Sequence, residues 1–212
     1  MIQVTHINTY NFDNAVRGMR NPLQSWDKSD SKYFYADGMK RFAIGDNDIE
    51  LMHRLYKAGT EHRKFLRQIF ISMDITAPDY WFKEFSTYKV GVVENSTSTM
   101  HRILSKAFEK SDFSFDYDNL NTFDSYNTEV LIDYLEDLRK RCVEEECTKE
   151  EHWRLLIQSL PMSYNYKRTV TMNYENAITM INQRENHKLQ EWKTFTDILK
   201  KLPYMTEIRG EM

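Results

Sequence analysis

A run of small hydroxyl and amide side chains marks the segment of this chain that is best suited to binding an anion. Asn95, Ser96 and Ser98 follow a valine-rich stretch that predicts extended backbone, and helical spacing of apolar residues begins just after them. The first turn of a helix has unpaired backbone N–H groups, which together with these side chains suit a phosphate. The same residue types are also the preferred N-caps of any helix. The pattern therefore predicts either simple capping or an anion site.

Two basic residues near this helix start, His101 and Arg102, favour the anion site. A positive side chain close to a helix N-terminus opposes the helix dipole unless an anion is bound there too. His101 and Arg102 therefore shift the balance from simple capping towards an anion site.

A second group of candidate residues lies towards the carboxyl terminus. Arg184 falls on the apolar stripe of a predicted helix, and an inward-facing guanidinium needs a partner. That partner is either a structural carboxylate, Glu175 or Glu185, or an anionic or carbonyl-bearing ligand in a cleft. Gln190, in the next predicted helix, either bonds the same ligand or caps backbone groups.

The elements that position these residues follow from hydrophobic periodicity. Alternating apolar residues predict strands, helical spacing predicts helices, and Pro or Gly ends them. Residues 1–45 are mixed and partly loop. The predicted elements are strands at 2–7, 67–75 and 167–172, a short aromatic segment at 80–85, and helices at about 46–58, 98–107, 130–141, 148–160, 174–184 and 187–202.

Composition limits the class of protein. The chain has 212 residues, 41% of them apolar, with only six Gly and four Pro and no linker-like stretch. This predicts one folded domain spanning residues 1–212. A net charge of -3 gives no overall basic field, so we expect neither a nucleic acid nor a membrane surface as partner.

Cysteine usage and hydropathy predict the compartment. Cys142 and Cys147 fit neither a zinc site nor a redox pair, so we predict reduced thiols and no metal site. No apolar run approaches the roughly 20 residues needed to span a bilayer, and the first residues do not look like a signal peptide. A cytoplasmic location is the resulting expectation.

The order of several motifs resembles that of flavin-dependent thymidylate synthases. The resemblance covers roughly residues 47–105 and 160–203. It implies an α/β (α+β) fold with a mixed or antiparallel sheet flanked by helices. The residues that carry it are Gly59-Thr60-Glu61-His62 after a helix, the strand at 67–75, the motif from Asn95 to Ser98, Leu160-Pro161, Thr171-Met172-Asn173, Arg184 and Gln190.

The family signature reads Arg-His-Arg, two variable residues, Ser, one variable residue, Asn-Glu, one variable residue, Ser, one variable residue, Arg-Tyr. When Asn95 is placed on its Asn, Ser98 falls on the second Ser, which in the family contacts the substrate near the flavin. The resemblance therefore implies Ser98 as the catalytic residue. The signature is degenerate at the other positions. Tyr88-Lys89-Val90 stands in place of Arg-His-Arg, and Val93 stands in place of the first Ser. Ser96 replaces the Glu and Met100 replaces the Arg, while Arg102 follows two residues later. Farther along, Glu175 and Leu202 replace two family arginines.

The resemblance also implies a reaction. A flavoprotein of this family binds FAD and transfers a methylene group from a folate to dUMP, with NADPH as the further cofactor, and is usually a homotetramer. Arg184 of one copy would then face Ser98 of another. The implied substrate-binding residues are Asn95, Ser96, Ser98, His101, Arg102 and Arg184. The implied cofactor-binding residues are Glu61, His62, Lys89, Asn173 and Gln190.

Two alternatives to thymidylate synthesis remain open from the sequence. One is a divergent member of the fold that binds a pyrimidine nucleotide without this chemistry, since Asn95, Ser98, Arg102 and Arg184 are kept while the basic cluster is not. The other is binding of a protein partner, favoured by 13 Tyr, 12 Phe and 11 Met, types that are enriched at interfaces. Most of these residues are, however, expected to fill the core.

Overall fold

The structure, a computed structural model, describes residues 1–144 and 149–210, with the backbone alone described at residue 149. It combines helices with antiparallel sheet, as predicted. The strands are β1 (Gln3–Tyr10), β2 (Lys32–Ala36), β3 (Met39–Ala43), β4 (Phe70–Pro78), β5 (Val93–Ser96) and β6 (Asn165–Asn173). The helices are α1 (Phe12–Arg20), α2 (Asp46–Lys57), α3 (Asp79–Phe85), α4 (Thr99–Arg102), α5 (Thr122–Glu144), α6 (Lys149–Ser159), α7 (Tyr174–Arg184), α8 (Gln190–Lys200) and α9 (Met205–Arg209).

The strands form a sheet of order β1-β4-β6-β5 and a separate β2-β3 hairpin. The residues fall into two compact units. The first unit comprises Met1–Gln3, Asp74–Thr87 and Glu94–Thr169, and the second comprises Val4–Met73, Tyr88–Val93 and Val170–Met212. The single domain over residues 1–212 stays a prediction.

Each unit has its own buried side chains. In the first unit α5 packs on α6, and their apolar faces pack against Ile103, Phe108 and Phe113 from the segment before α5. In the second unit α7 packs on α8, where Tyr174, Ile181, Trp192 and Phe195 are fully buried. The core cluster of the first unit consists of Ile103, Phe108, Phe113, Ile132, Leu135, Leu138 and Leu156.

Most predicted elements are confirmed. On β4 the side chains of Ile71, Met73 and Ile75 are buried at alternate positions, as a half-buried strand requires. The helix predicted to stop at Gly59 ends at Lys57, and Gly59 has a φ of 104°. The predicted start of α6 at residue 148 and the state of Cys147 lie outside the described residues, whereas Cys142 is buried.

The helix predicted after Asn95 is much shorter than expected. The spacing of apolar residues predicts a helix that reaches Ala107, but α4 ends at Arg102. The N–H and the hydroxyl of Ser105 both donate to the Arg102 carbonyl oxygen, at 2.9 and 2.7 Å. This local bonding competes with continuation of the helix. The prediction of a regular helix over this segment is therefore wrong.

None of the helices in the described part of the chain is both long enough and apolar enough to cross a membrane.

Candidate functional site

A cleft of about 260 Å³ lies in the first unit, where the segment after β5 meets β6. We call it the phosphate cleft, after the anion that the sequence pattern predicts for this segment. Thr97 fixes this junction, because its N–H donates to the Lys167 carbonyl oxygen at 2.9 Å and its Oγ1 accepts from the Lys167 N–H at 3.3 Å. The junction brings Ser98 and Arg102 to one wall. Other hydroxyl groups of the lining come from Thr76, Thr97, Thr99, Ser105, Ser111, Tyr164 and Tyr166.

Ser98 is the N-cap of α4. Its Oγ accepts a hydrogen bond from the His101 N–H at 3.3 Å. The capping interpretation of this residue is confirmed. A serine hydroxyl has one donor and two acceptor positions, so capping leaves its O–H proton for another acceptor in the cleft.

The cations of the phosphate cleft differ in whether they have a counter-ion. Lys106 Nζ pairs with Asp112 Oδ1 at 2.6 Å, and Lys167 Nζ pairs with Asp74 Oδ2 at 2.9 Å. Within the described residues, the guanidinium of Arg102 has neither an ion-pair nor a hydrogen-bond partner. Arg102 is therefore the lining cation with its charge uncompensated.

Tyr164 adds a hydroxyl donor to the cleft. Burial raises the pKa of Tyr164 to about 12, so the phenol stays protonated at neutral pH. Its ring packs against Phe113 and Phe108, at centroid distances of 5.6 and 6.0 Å, which joins the cleft wall to the hydrophobic core. Sequence reasoning missed Tyr164, Lys106 and Lys167, since no motif links them to the segment around Ser98.

Three predicted substrate residues do not belong to this lining. Asn95 and Ser96 lie exposed on β5, and His101 is exposed on α4. None of the three is among the described residues that line the phosphate cleft. Their assignment to substrate stays a prediction.

Arg184, in the second unit, contacts aromatic side chains. Its Nε donates to the Tyr88 hydroxyl oxygen at 2.9 Å, and its guanidinium lies 5.0 Å from the Trp192 ring centroid. The Tyr88 hydroxyl in turn donates to Gln183 Oε1 at 2.9 Å. Of the two carboxylates considered as partners, Glu185 pairs with Lys200 at 2.9 Å. Tyr88 thus contacts Arg184 from the position where the resemblance expects the first arginine of the Arg-His-Arg cluster.

The other carboxylate, Glu175, pairs with two arginines. Its Oε1 lies 3.3 Å from Arg63 Nε, and its Oε2 lies 2.8 Å from Arg67 Nε. A 3₁₀ turn leads into β4; Arg67 belongs to this turn, and Arg63 immediately precedes it. Glu175 stands where the resemblance expects an arginine, so the local charge is reversed and two neighbouring cations are neutralised.

Asn173 is the N-cap of α7. Its Oδ1 accepts from the Asn176 N–H at 3.0 Å, and its side chain is only 9% exposed. Gly91 lies directly over it with a φ of 78°, and a Cβ there would come within 2.8 Å of Asn173 Nδ2. The side-chain Nδ2 of Asn176 also donates to the Val90 carbonyl oxygen at 2.8 Å. The segment from Tyr88 to Val93 therefore covers Asn173.

The remaining predicted cofactor residues are exposed. Glu61 and His62 line a cavity of about 520 Å³ whose walls include the apolar side chains of Leu51, Leu55 and Phe65. Lys89 and Gln190 are also exposed, and Gln190 is the first residue of α8. Glu61 and His62 are adjacent in the sequence, and Lys89, Asn173 and Gln190 are not among the described residues that line this cavity.

Solved structures of a bacterial enzyme share this fold over the whole chain. A crystal structure of thymidylate synthase X from Helicobacter pylori with FAD and dUMP matches with a TM-score of 0.68 and 18% identity, covering 100% of this chain and 98% of that chain. A second structure of the flavin-dependent thymidylate synthase from Helicobacter pylori, complexed with FAD and dUMP, matches with a TM-score of 0.67 and 19% identity, covering 99% and 97%.

The chain has the flavin-dependent thymidylate synthase fold. The predicted resemblance and fold class are thereby confirmed. No model of a protein family matches the sequence, and no curated protein matches it either.

The second unit allows a test of whether the residues fit FAD. A diphosphate needs uncompensated cations or backbone N–H groups. Arg63 and Arg67 are paired with Glu175, whereas Lys89, which the resemblance assigns to the cofactor, has no ion-pair partner among the described residues. Asn173 is covered and used as a cap. Asn173 therefore does not fit FAD in the manner that the resemblance implies, whereas the charge of Lys89 is available for a phosphate.

Proposed function

We propose that this protein binds a pyrimidine nucleotide in the phosphate cleft, with Arg102 and Ser98 as phosphate ligands. The observation that carries the proposal is the charge state of the lining. Lys106 and Lys167 have carboxylate partners, whereas Arg102 has none among the described residues. A guanidinium recognises phosphate through two parallel N–H bonds, which are stronger than neutral hydrogen bonds.

The neighbouring groups suit the rest of a nucleotide. The Ser98 O–H and the Tyr164 O–H are donors for phosphate oxygens, because the first is not consumed by capping and the second stays protonated. The other hydroxyl side chains of the lining suit the sugar oxygens. Arg184, Asn95, Ser96 and His101 remain further proposed substrate residues on the strength of the resemblance.

The test is the dependence of binding on phosphate. A ligand that binds only the folded protein at about 100 times its Kd stabilises it by about 2.7 kcal/mol, which raises the melting temperature of a chain this size by roughly 5 to 11 °C. We expect dUMP to produce such a shift and deoxyuridine to produce almost none. Equal shifts with the two ligands, or no shift with either, would refute the proposal.

A second candidate function is thymidylate synthesis itself, the reductive methylation of dUMP. It is favoured by the full-length fold match to proteins crystallised with FAD and dUMP. It requires FAD to be held without Asn173, which caps α7, together with a folate and NADPH. Ser98 is then the proposed catalytic residue. The absorbance spectrum of the purified protein with added FAD tests this candidate, since a protein that remains colourless after desalting does not retain flavin.

The assembly and the compartment are also proposals. A homotetramer follows from the resemblance, and native mass spectrometry distinguishes it from a monomer. A cytoplasmic location is checked by fractionation.

A further inference from the structure

We infer that the nucleotide spans two cavities of the first unit, with its phosphate in the phosphate cleft and its base in a neighbouring cavity. This inference rests on the proposed function and adds the binding site of the base. The neighbouring cavity, of about 550 Å³, is called the second cavity. Its walls include the side chains of Met100, Ile157, Leu160, Pro161 and Met162.

The two cavities are neighbours because they share lining residues. Ser98, Thr99 and Tyr166 belong to both linings. These three residues therefore form the boundary between the cavities, and all three carry hydroxyl groups. A sugar, which joins the phosphate to the base, is the part of a nucleotide that suits a boundary of hydroxyl side chains.

Charge decides the orientation of the ligand. Arg102 lines the phosphate cleft, whereas the cation of the second cavity, Lys83, pairs with Asp79 at 3.4 Å. A phosphate dianion is therefore better accommodated in the cleft. The Asp79–Lys83 pair offers an acceptor and a donor for the polar edge of a base in the second cavity.

The apolar side chains that line part of the second cavity suit a flat ring. Methionine side chains are flexible and polarizable, so they adapt to the faces of aromatic groups. Met162 is 49% exposed and Met100 is 55% exposed, so both have surface that a ligand would cover. Tyr166 is held at 90° to the Tyr164 ring with centroids 5.3 Å apart, which fixes its ring at the boundary.

Tyr166 and Met162 are thus the residues that we expect to determine recognition of the base. Stacking of a base on an aromatic side chain changes affinity by about tenfold or more. Neither residue forms part of the signature from Tyr88 to Arg102, so the sequence offered no motif that would single them out.

The experiment compares dUMP with 2-deoxyribose 5-phosphate, which has the same sugar and phosphate but no base. Calorimetric titrations use the wild type and the variants Met162→Ala, Tyr166→Ala and Tyr166→Phe. Leu155→Ala is the matched control, because Leu155 is also partly exposed, at 41%, and is absent from the described lining of both cavities. Thermal melts establish that each variant is folded.

We expect Tyr166→Ala to weaken dUMP by about tenfold through loss of the ring, and 2-deoxyribose 5-phosphate less, through loss of one hydroxyl contact. Met162→Ala should weaken dUMP and leave 2-deoxyribose 5-phosphate unchanged, because Met162 lines the second cavity and not the cleft. Tyr166→Phe recovers most of the dUMP affinity because it keeps the ring. If the wild type binds both ligands equally and the variants do not separate them, the inference is wrong while the proposed function stands. If the wild type binds neither ligand, the proposed function fails and the inference fails with it.

Discussion

Asp48 is the buried carboxylate whose removal should destabilise the second unit most. It is fully buried and accepts from Arg20 Nε at 2.6 Å, and from the hydroxyls of Ser29 and Ser31, each at 2.6 Å. Arg20 itself is only 5% exposed. Asp48→Ala would leave this guanidinium buried without its carboxylate partner. Breaking a buried ion pair by removing one partner costs about 3 to 5 kcal/mol.

This loss is large compared with the total stability of a domain, which is about 5 to 15 kcal/mol. At roughly 2 to 4 °C per kcal/mol for a chain of this size, the melting temperature should fall by about 6 to 20 °C. Differential scanning calorimetry and urea unfolding measure the change. Asp197→Ala is the control, since Asp197 is exposed on α8 and its loss should cost less than about 0.5 kcal/mol. A loss below about 1 kcal/mol for Asp48→Ala would show that the ion pair does not hold these segments together.

Two further predictions concern charge. Burial alone would raise the pKa of Asp48, but the hydrogen bonds from Ser29, Ser31 and Arg20 outweigh it and lower the pKa below its ordinary value of 3.8. The stabilisation is therefore present above that pH and is lost as the pH falls through the folded-state pKa. Because Asp48→Asn has no carboxylate to protonate, its free energy of unfolding should fall less on acidification than that of the wild type. Glu175→Gln removes the charge that neutralises two arginines, so thermal melts should show stabilisation by FAD that is larger than in the wild type. An equal FAD effect in both proteins would mean that Glu175 does not limit flavin binding.

The sequence was most informative where one face of an element is buried. Ile71, Met73 and Ile75 alternate along β4 because one side of the strand faces the core, and this alternation is readable without a structure. The β2-β3 hairpin escaped detection because its residues are exposed on both faces, which removes the alternation. Its Asp37-Gly38 turn, with φ values of 52° and 73°, is the signal that would have found it.

Only those residues of the candidate site that lie close together in the sequence could be predicted. Ser98 and Arg102 are close in sequence, so a single motif points to both. Lys167 and Tyr164 reach the same cleft from β6 or the turn before it, and no local pattern records that pairing. The contact of Glu175 with Arg67 likewise joins distant segments, and only the fold reveals that this position carries the opposite charge from the one expected.

The most direct test of nucleotide binding is a calorimetric titration of dUMP into the wild type and into Arg102→Ala. A charge-assisted hydrogen bond contributes about 1.5 to 3 kcal/mol, so the variant should bind roughly 10- to 150-fold more weakly. Arg154→Ala, which removes the same charge from an exposed position on α6 outside the described lining of the cleft, should bind like the wild type. Equal affinity of the wild type and Arg102→Ala, or no binding of dUMP to the wild type, would contradict the account.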